Sequence, residues 1–241
     1  MEAGEAFAKV LEKMDKKTKC EYKPPKESWN CVLAGDSGHL ETNIKRDKDI
    51  AKPQTPATLA QVNSRVWPSQ AHHLIPHVQL SGHVVTEWIE EDKGTLQYDA
   101  NYSVNHGLNG KFMPYASALK EWSSASTDRK QEIANKVMKA AGIQLHQGAH
   151  SYEPYNDDQA GYKTRVEEYL EAVKDHSISH YDPKVCEECS NEVKGKVPPR
   201  RNTVTMLDRA SKQLDTDIRK GQIAVSRRAS DYVANIGPLS K

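Results

Sequence analysis

The sequence predicts an α+β chain, mostly helical, on three observations. Apolar residues recur at helical spacing near both ends. Two short strand patterns, Ala71–Ile75 and Lys111–Pro114, flank a long polar loop. A stretch of helical composition then follows the second strand.

The elements follow in order. Phe7, Val10, Leu11 and Met14 recur on one helical face within a Lys/Glu-rich segment, so an amphipathic helix opens the chain. From Lys19 to Thr58 the chain holds Pro24, Pro25, Pro53 and Pro56 with Gly35 and Gly38, and reads as irregular structure or linker. Ala71–Ile75, closed by Pro76, reads as a strand whose period of two sends His72 and His73 to opposite faces. Val84–Ile89 reads as a short helix. The Asp/Asn/Gly-rich run Asp99–Gly110 reads as a long loop before the second strand. Ala116–Ala125 and Asp128–Ala141 read as an inserted helical hairpin, with Ser126 or Thr127 as N-cap and Gly142 as stop.

Tyr162, Val166, Tyr169, Leu170 and Val173 mark an amphipathic helix beginning shortly after Pro154-Tyr155-Asn156. Beyond Asp175 come Cys186-Glu-Glu-Cys189 and a basic, proline-containing stretch from Lys194 to Arg201, read as a linker or exposed loop. Val204, Leu207, Leu214 and Ile218 place a helix before Gly221, and a last helix runs from Val225 toward Gly237-Pro238. The organisation read from these patterns is an N-terminal helix and irregular segment over 1–60, a core over 61–175 with inserted helices at 116–141, and a Cys-containing linker with C-terminal helices over 176–241.

Composition narrows the class of molecule. Hydrophobic residues make up 37% of the 241 residues, with only two Phe, so the core is modest and much of the surface is solvated. Lys plus Arg total 34 against 33 Asp plus Glu, so any attraction to phosphate must be local. The start, Met1-Glu2-Ala3-Gly4-Glu5, lacks the basic and apolar segments of a cleavable secretory signal and suits a module of a longer polypeptide. No apolar stretch approaches the roughly 20 residues of a membrane helix, so no membrane insertion is expected.

The histidines carry the chemistry. Hydrolysis of a phosphodiester needs an activated water, neutralisation of charge on the transition state and help for the leaving oxygen, and a divalent metal supplies two of these. A neutral imidazole with a fixed tautomer can take the proton from the water. In this reading His72 is a metal ligand, His73 the general base and Asn109 the amide that orients it. His150 and His146, spaced as two ligands on one helical face, complete the metal shell. His39, His77, His83, His106, His176 and His180 are read as ordinary hydrogen-bonded residues.

Three blocks stand in order: Ala71-His72-His73-Leu74-Ile75-Pro76, then Asn109-Gly110 with Met113-Pro114, then Leu145-His146-x-Gly-x-His150 with Tyr155-Asn156. Over about Trp67 to Val173 this order resembles the AHH branch of the HNH/endonuclease VII superfamily. The resemblance implies a small ββα-metal nuclease core with a helical insertion, holding one divalent ion (magnesium, manganese, nickel or zinc) and cutting DNA. It further implies a secreted antibacterial effector module of the polymorphic or type VI toxin kind, acting in the target cell's cytoplasm and countered by a cognate immunity protein. In relatives the His-rich block usually follows the Asn-Gly strand closely, whereas here Tyr115 to Ile143 intervenes.

Two further clusters have open readings. Cys186 and Cys189 read as half of a zinc knuckle, and Cys20 with Cys31 would supply the other half of a structural zinc site; four reduced thiols are the plainer alternative, and a local or long-range disulfide is a third. Lys194, Lys196, Arg200 and Arg201 form a basic cluster that would hold a phosphate backbone or simply solvate a linker. An RNase on the same scaffold and a non-catalytic zinc-stabilised binding domain are the competing functions. A structural site has no need of a second histidine beside its ligand, which favours catalysis.

Overall fold

The computed structural model describes residues 3–12, 37–81, 83–85, 102, 104–146, 160–179 and 200–236. The chain is α+β and mostly helical. Its described helices of more than one turn are α1 (Ala3–Glu12), α2 (Ser37–Lys48), α4 (Thr127–Ala141), α5 (Tyr162–Ser179), α6 (Arg200–Lys220) and α7 (Arg227–Ile236). A single turn, α3 (His77–Leu80), follows the first strand. The strands are β1 (Ser69–His73), β2 (Gly110–Pro114), β3 (Ala160–Gly161) and β4 (Ile223–Ala224).

Strands β1 and β2 pair antiparallel, in a register that runs from Ser69 opposite Pro114 to His73 opposite Gly110. Strands β3 and β4 form a short parallel pair. Among the described residues no helix is long and apolar enough to cross a membrane.

Two compact units interleave along the chain, where the sequence pattern suggested consecutive segments. One comprises 1–34, 75–104 and 166–210, the other 35–74, 105–165 and 211–241. In the first, the Phe7 ring of α1 lies 4.5 Å from that of Tyr169, and Leu11, Leu80, Val104, Leu170 and Leu207 are buried. His83 is an ordinary hydrogen-bonded residue here: its Nδ1 accepts the Val85 N–H at 3.2 Å, so its Nε2–H points at Glu171 Oε1, 3.0 Å away.

The second unit holds both strand pairs. Helix α4 is bounded as local chemistry dictates. Ser126 Oγ accepts the Arg129 N–H at 3.2 Å, and Gly142 ends the helix at φ +64°, where a side chain would be strained. Its buried stripe, Ile133, Ala134, Val137 and Met138, packs on β2 and α7. Trp122 lies beneath the Arg228 guanidinium, 5.5 Å from the ring centroid, and beneath Lys130 at 5.9 Å.

Several expectations are corrected. The stretch Lys19–Thr58 contains a helix: α2 buries Leu40 and Ile44 against β1 and β2. Its pattern is weak because only two apolar residues anchor it, each contributing about 2 kcal/mol. Ala116–Ala125 is not the first arm of a helical hairpin but a single 3₁₀ turn at Ala116–Ala118 followed by further turns, so the insertion carries one helix. Arg200 and Arg201 open α6 instead of belonging to a linker. Of Val84–Ile89, residues 84 and 85 are helical and the rest lie outside the described residues.

Candidate active site

Strand alternation separates the adjacent histidines. His72 points into the second unit and is 2% exposed, while His73, the last residue of β1, is half-buried. The pairing extends one residue past the strand, the Leu74 N–H donating to the Asn109 carbonyl at 2.8 Å.

His72 Nε2 lies 3.1 Å from the Tyr162 hydroxyl. That hydroxyl also lies 2.6 Å from the Leu74 carbonyl and 3.0 Å from the His73 carbonyl, groups that can only accept. Its single proton therefore goes to a carbonyl, and toward His72 the phenol oxygen accepts. His72 then carries its proton on Nε2, which makes Nδ1 the basic nitrogen. Burial pushes the Tyr162 phenol well above its usual range, so the donor survives across neutral and mildly alkaline pH.

Tyr162 opens α5, and an ion pair one turn later secures it. Arg165 Nη1 donates to buried Asp217 of α6 at 3.1 Å, and Gln213 donates to the other Asp217 oxygen at 2.9 Å. In the sequence Tyr162 is marked only as a member of an apolar stripe; its hydroxyl role depends on contacts 88 to 90 residues away. Tyr162→Phe is expected to lower stability by about 1–3 kcal/mol, because the His72 N–H loses its buried acceptor. Urea unfolding equal to wild type would contradict the assignment.

His73 Nε2 lies 2.9 Å from Asn105 Oδ1. An amide oxygen accepts, so His73 also holds its proton on Nε2 and presents Nδ1 as the base. Asn109 was expected in this orienting role, and the amide oxygen at His73 Nε2 is that of Asn105. Asn109 is fully buried, and its Oδ1 accepts the Ser211 hydroxyl at 2.9 Å while its carbonyl secures Leu74. The Asn-Gly dipeptide is thus a structural turn, and Asn105, four residues earlier, is the amide at the imidazole.

His146 stands outside any helix, so the one-face spacing proposed for His146 and His150 does not hold at its first member. Its ring centroid is 4.5 Å from that of His72, tilted by 55°. The backbone is held on both sides: the His146 N–H donates to the Pro114 carbonyl at 3.0 Å, and the Ser226 hydroxyl donates to the Leu145 carbonyl at 2.9 Å. The Gln144 amide, fully buried, donates to the Ile218 and Ile223 carbonyls at 2.8 and 2.5 Å and accepts the Val225 N–H at 3.1 Å. Burial lowers the pKa of His146, so its imidazole is neutral at pH 7.

Lys111 lies opposite His72 in the register, so the two side chains leave the same face of the pair. Its ammonium pairs with Asp215. Burial lowers its pKa to about 8 against the partial support of Asp215, with Arg219 and Lys48 adding repulsion. Because the folded state releases this proton before the unfolded chain does, the unfolded chain binds more protons between about pH 8 and the ordinary value of 10.5, and stability rises across that window. The gain is about 3 kcal/mol. Lys111→Met should flatten this rise in urea titrations at pH 8 and pH 10; an undiminished rise would contradict it.

Among the described residues no group of three or more His, Cys, Asp or Glu is arranged to hold a metal. His72 and His146 supply two imidazoles side by side, a donor set that suits part of a divalent-ion shell. His150, Cys20, Cys31, Cys186, Cys189, Lys194 and Lys196 lie outside the described residues, as do the side chains of Arg200 and Arg201. No family model, no curated protein and no solved structure matches the chain.

Proposed function

We propose that the chain is a metal-dependent endonuclease that hydrolyses phosphodiester bonds in DNA. One observation carries the reading: the adjacent histidines are divided between two environments, one buried beside a second imidazole, the other half-buried against an amide. Both have their Nε2 proton committed, which makes Nδ1 the basic nitrogen of each ring. A structural pair of histidines has no use for this division.

In the proposed mechanism His73 Nδ1 takes a proton from the attacking water. The Asn105 oxygen keeps the ring oriented and stabilises the imidazolium that results, in the manner of a general base and its orienting partner. His72 and His146 would hold one divalent ion, magnesium, manganese, nickel or zinc, with His150 as the third imidazole. When bound, such an ion neutralises phosphate charge and assists the leaving oxygen. Tyr162 keeps His72 in the tautomer that ligation requires.

In this proposal β1, β2 and the start of α5 would form a ββα-metal core, with the helix-bearing stretch 116–141 as an insertion. Support comes from the Tyr162 hydroxyl, which ties the first turn of α5 to the carbonyls at the end of β1. The AHH-type resemblance extends the proposal to a secreted toxin module of the type VI or polymorphic kind. It would act in a target cell's cytoplasm and be neutralised by an immunity protein.

The test is side-by-side incubation of the purified chain with supercoiled plasmid and with structured RNA, across these four metals. Nicked and linear plasmid with RNA intact is the expected result. Cleavage of RNA alone would move the substrate to RNA on the same site, and no cleavage of either by folded protein would reject the enzyme.

A further inference from the structure

The Asn105 amide is only as well placed as the turn that carries it, and that turn is held by α2. Asn43 Nδ2 donates to the Asn105 carbonyl at 2.7 Å. Two residues on, the Gly107 N–H donates to Asp47 Oδ2 at 3.0 Å, and at the foot of β2 the Lys48 ammonium donates to the Gly110 carbonyl at 2.6 Å. Asn43 and Asp47, four residues apart, share one side of the helix and grip successive peptide groups of one turn, and Lys48 at the helix end holds the strand that follows it.

The approach leaves no slack. A Cβ on Gly107 would collide with the Asn43 carbonyl oxygen and with Asp47, and one on Gly110 would press on Ile44 and Leu40. Helix α2 is itself seated by Leu40 and Ile44, both buried against the strand pair that delivers His73. Helix and strand therefore form one rigid frame around the Asn105–His73 hydrogen bond within this unit.

We infer that α2 is a positioning element for the general base, with Asn43 and Asp47 as positioning residues that set the Asn105 oxygen at His73 Nε2. The inference rests on His73 acting as the base. Its test has a readout independent of cleavage. In the full chain with ¹⁵N-labelled histidine, the wild-type His73 side chain should show a single Nε2–H tautomer whose proton exchanges slowly with water.

Asn43→Asp keeps the shape of the side chain but loses the donor, and should speed that exchange by about tenfold or more and lower kcat by about tenfold with KM unchanged. Asp47→Ala should act in the same direction, whereas Asp47→Asn, whose amide oxygen still accepts the Gly107 N–H, should restore the wild-type signal. Thermal unfolding confirms that each variant is folded. A folded Asn43→Asp chain with wild-type tautomer and exchange overturns the inference even if cleavage changes. A wild-type chain that cleaves nothing rejects the nuclease reading, while the histidine spectra still decide the inference about α2.

Discussion

Replacing His73 with alanine is expected to lower the proposed metal-dependent cleavage by about 100- to 10,000-fold, the range spanned by loss of a positioned general base. Affinity for the divalent ion should stay at the wild-type value, because His73 leaves the strand on the face opposite the imidazole cluster. The fold should survive as well: His73 is half-buried at a strand end, and its main-chain carbonyl, which lies against Tyr162, is kept by alanine. Calorimetric metal titration beside plasmid cleavage separates the two roles. Loss of metal affinity together with cleavage would make His73 a ligand and overturn the assignment of base to this residue.

Gln144→Ala carries the largest expected stability effect, about 3 kcal/mol, because it removes three buried hydrogen bonds, takes the acceptor from the Val225 N–H and opens a cavity beside it. The Gln144 side chain bridges the end of α6, β4 and the segment carrying His146 through three hydrogen bonds with no exposure to water. Freed of that bridge, His146 loses its register beside His72. The expected result is a lower urea midpoint and, under conditions where the variant is folded, divalent-ion binding weakened by about 10- to 100-fold. Unchanged metal affinity in the folded variant would show that His146 is not held in place by this bridge.

What was legible in the sequence was local. Helix α4 announced itself through Ser126 and Gly142, whose side-chain and backbone preferences act within one turn, and α5 through its apolar spacing. The strand pair was legible in place but not in extent: alternation marked the first strand, expected over Ala71–Ile75 where β1 is Ser69–His73, and the Lys111–Pro114 run follows a loop. Within the candidate site, the separation of His72 from His73 followed from the strand period alone.

The illegible parts depend on contacts far apart in sequence. Helix α2 has little apolar signal of its own and is stabilised by a strand pair about 30 to 70 residues downstream, so the surrounding prolines and glycines dominated its pattern. Asn105 and Asn109 both sit in an Asn/Gly-rich turn, and the Asn-Gly dipeptide drew the expected orienting role to Asn109, whereas the oxygen at His73 Nε2 is that of Asn105. Only the fold distinguishes the oxygen facing His73 from the one facing Ser211. The seating of His146 was hidden for the same reason, since Gln144 and Leu145 find their partners 74 to 81 residues further on.

The central claim, a metal-dependent phosphodiester hydrolysis centre built on His72 and His73, is tested most directly by plasmid nicking under metal exchange. Chelator-stripped wild-type protein should leave supercoiled DNA intact, and re-addition of one divalent metal should restore nicking in wild type but not in His73→Ala. Folded protein that leaves the plasmid intact under every metal, or that cuts it equally well when stripped or when carrying His73→Ala, would contradict the account.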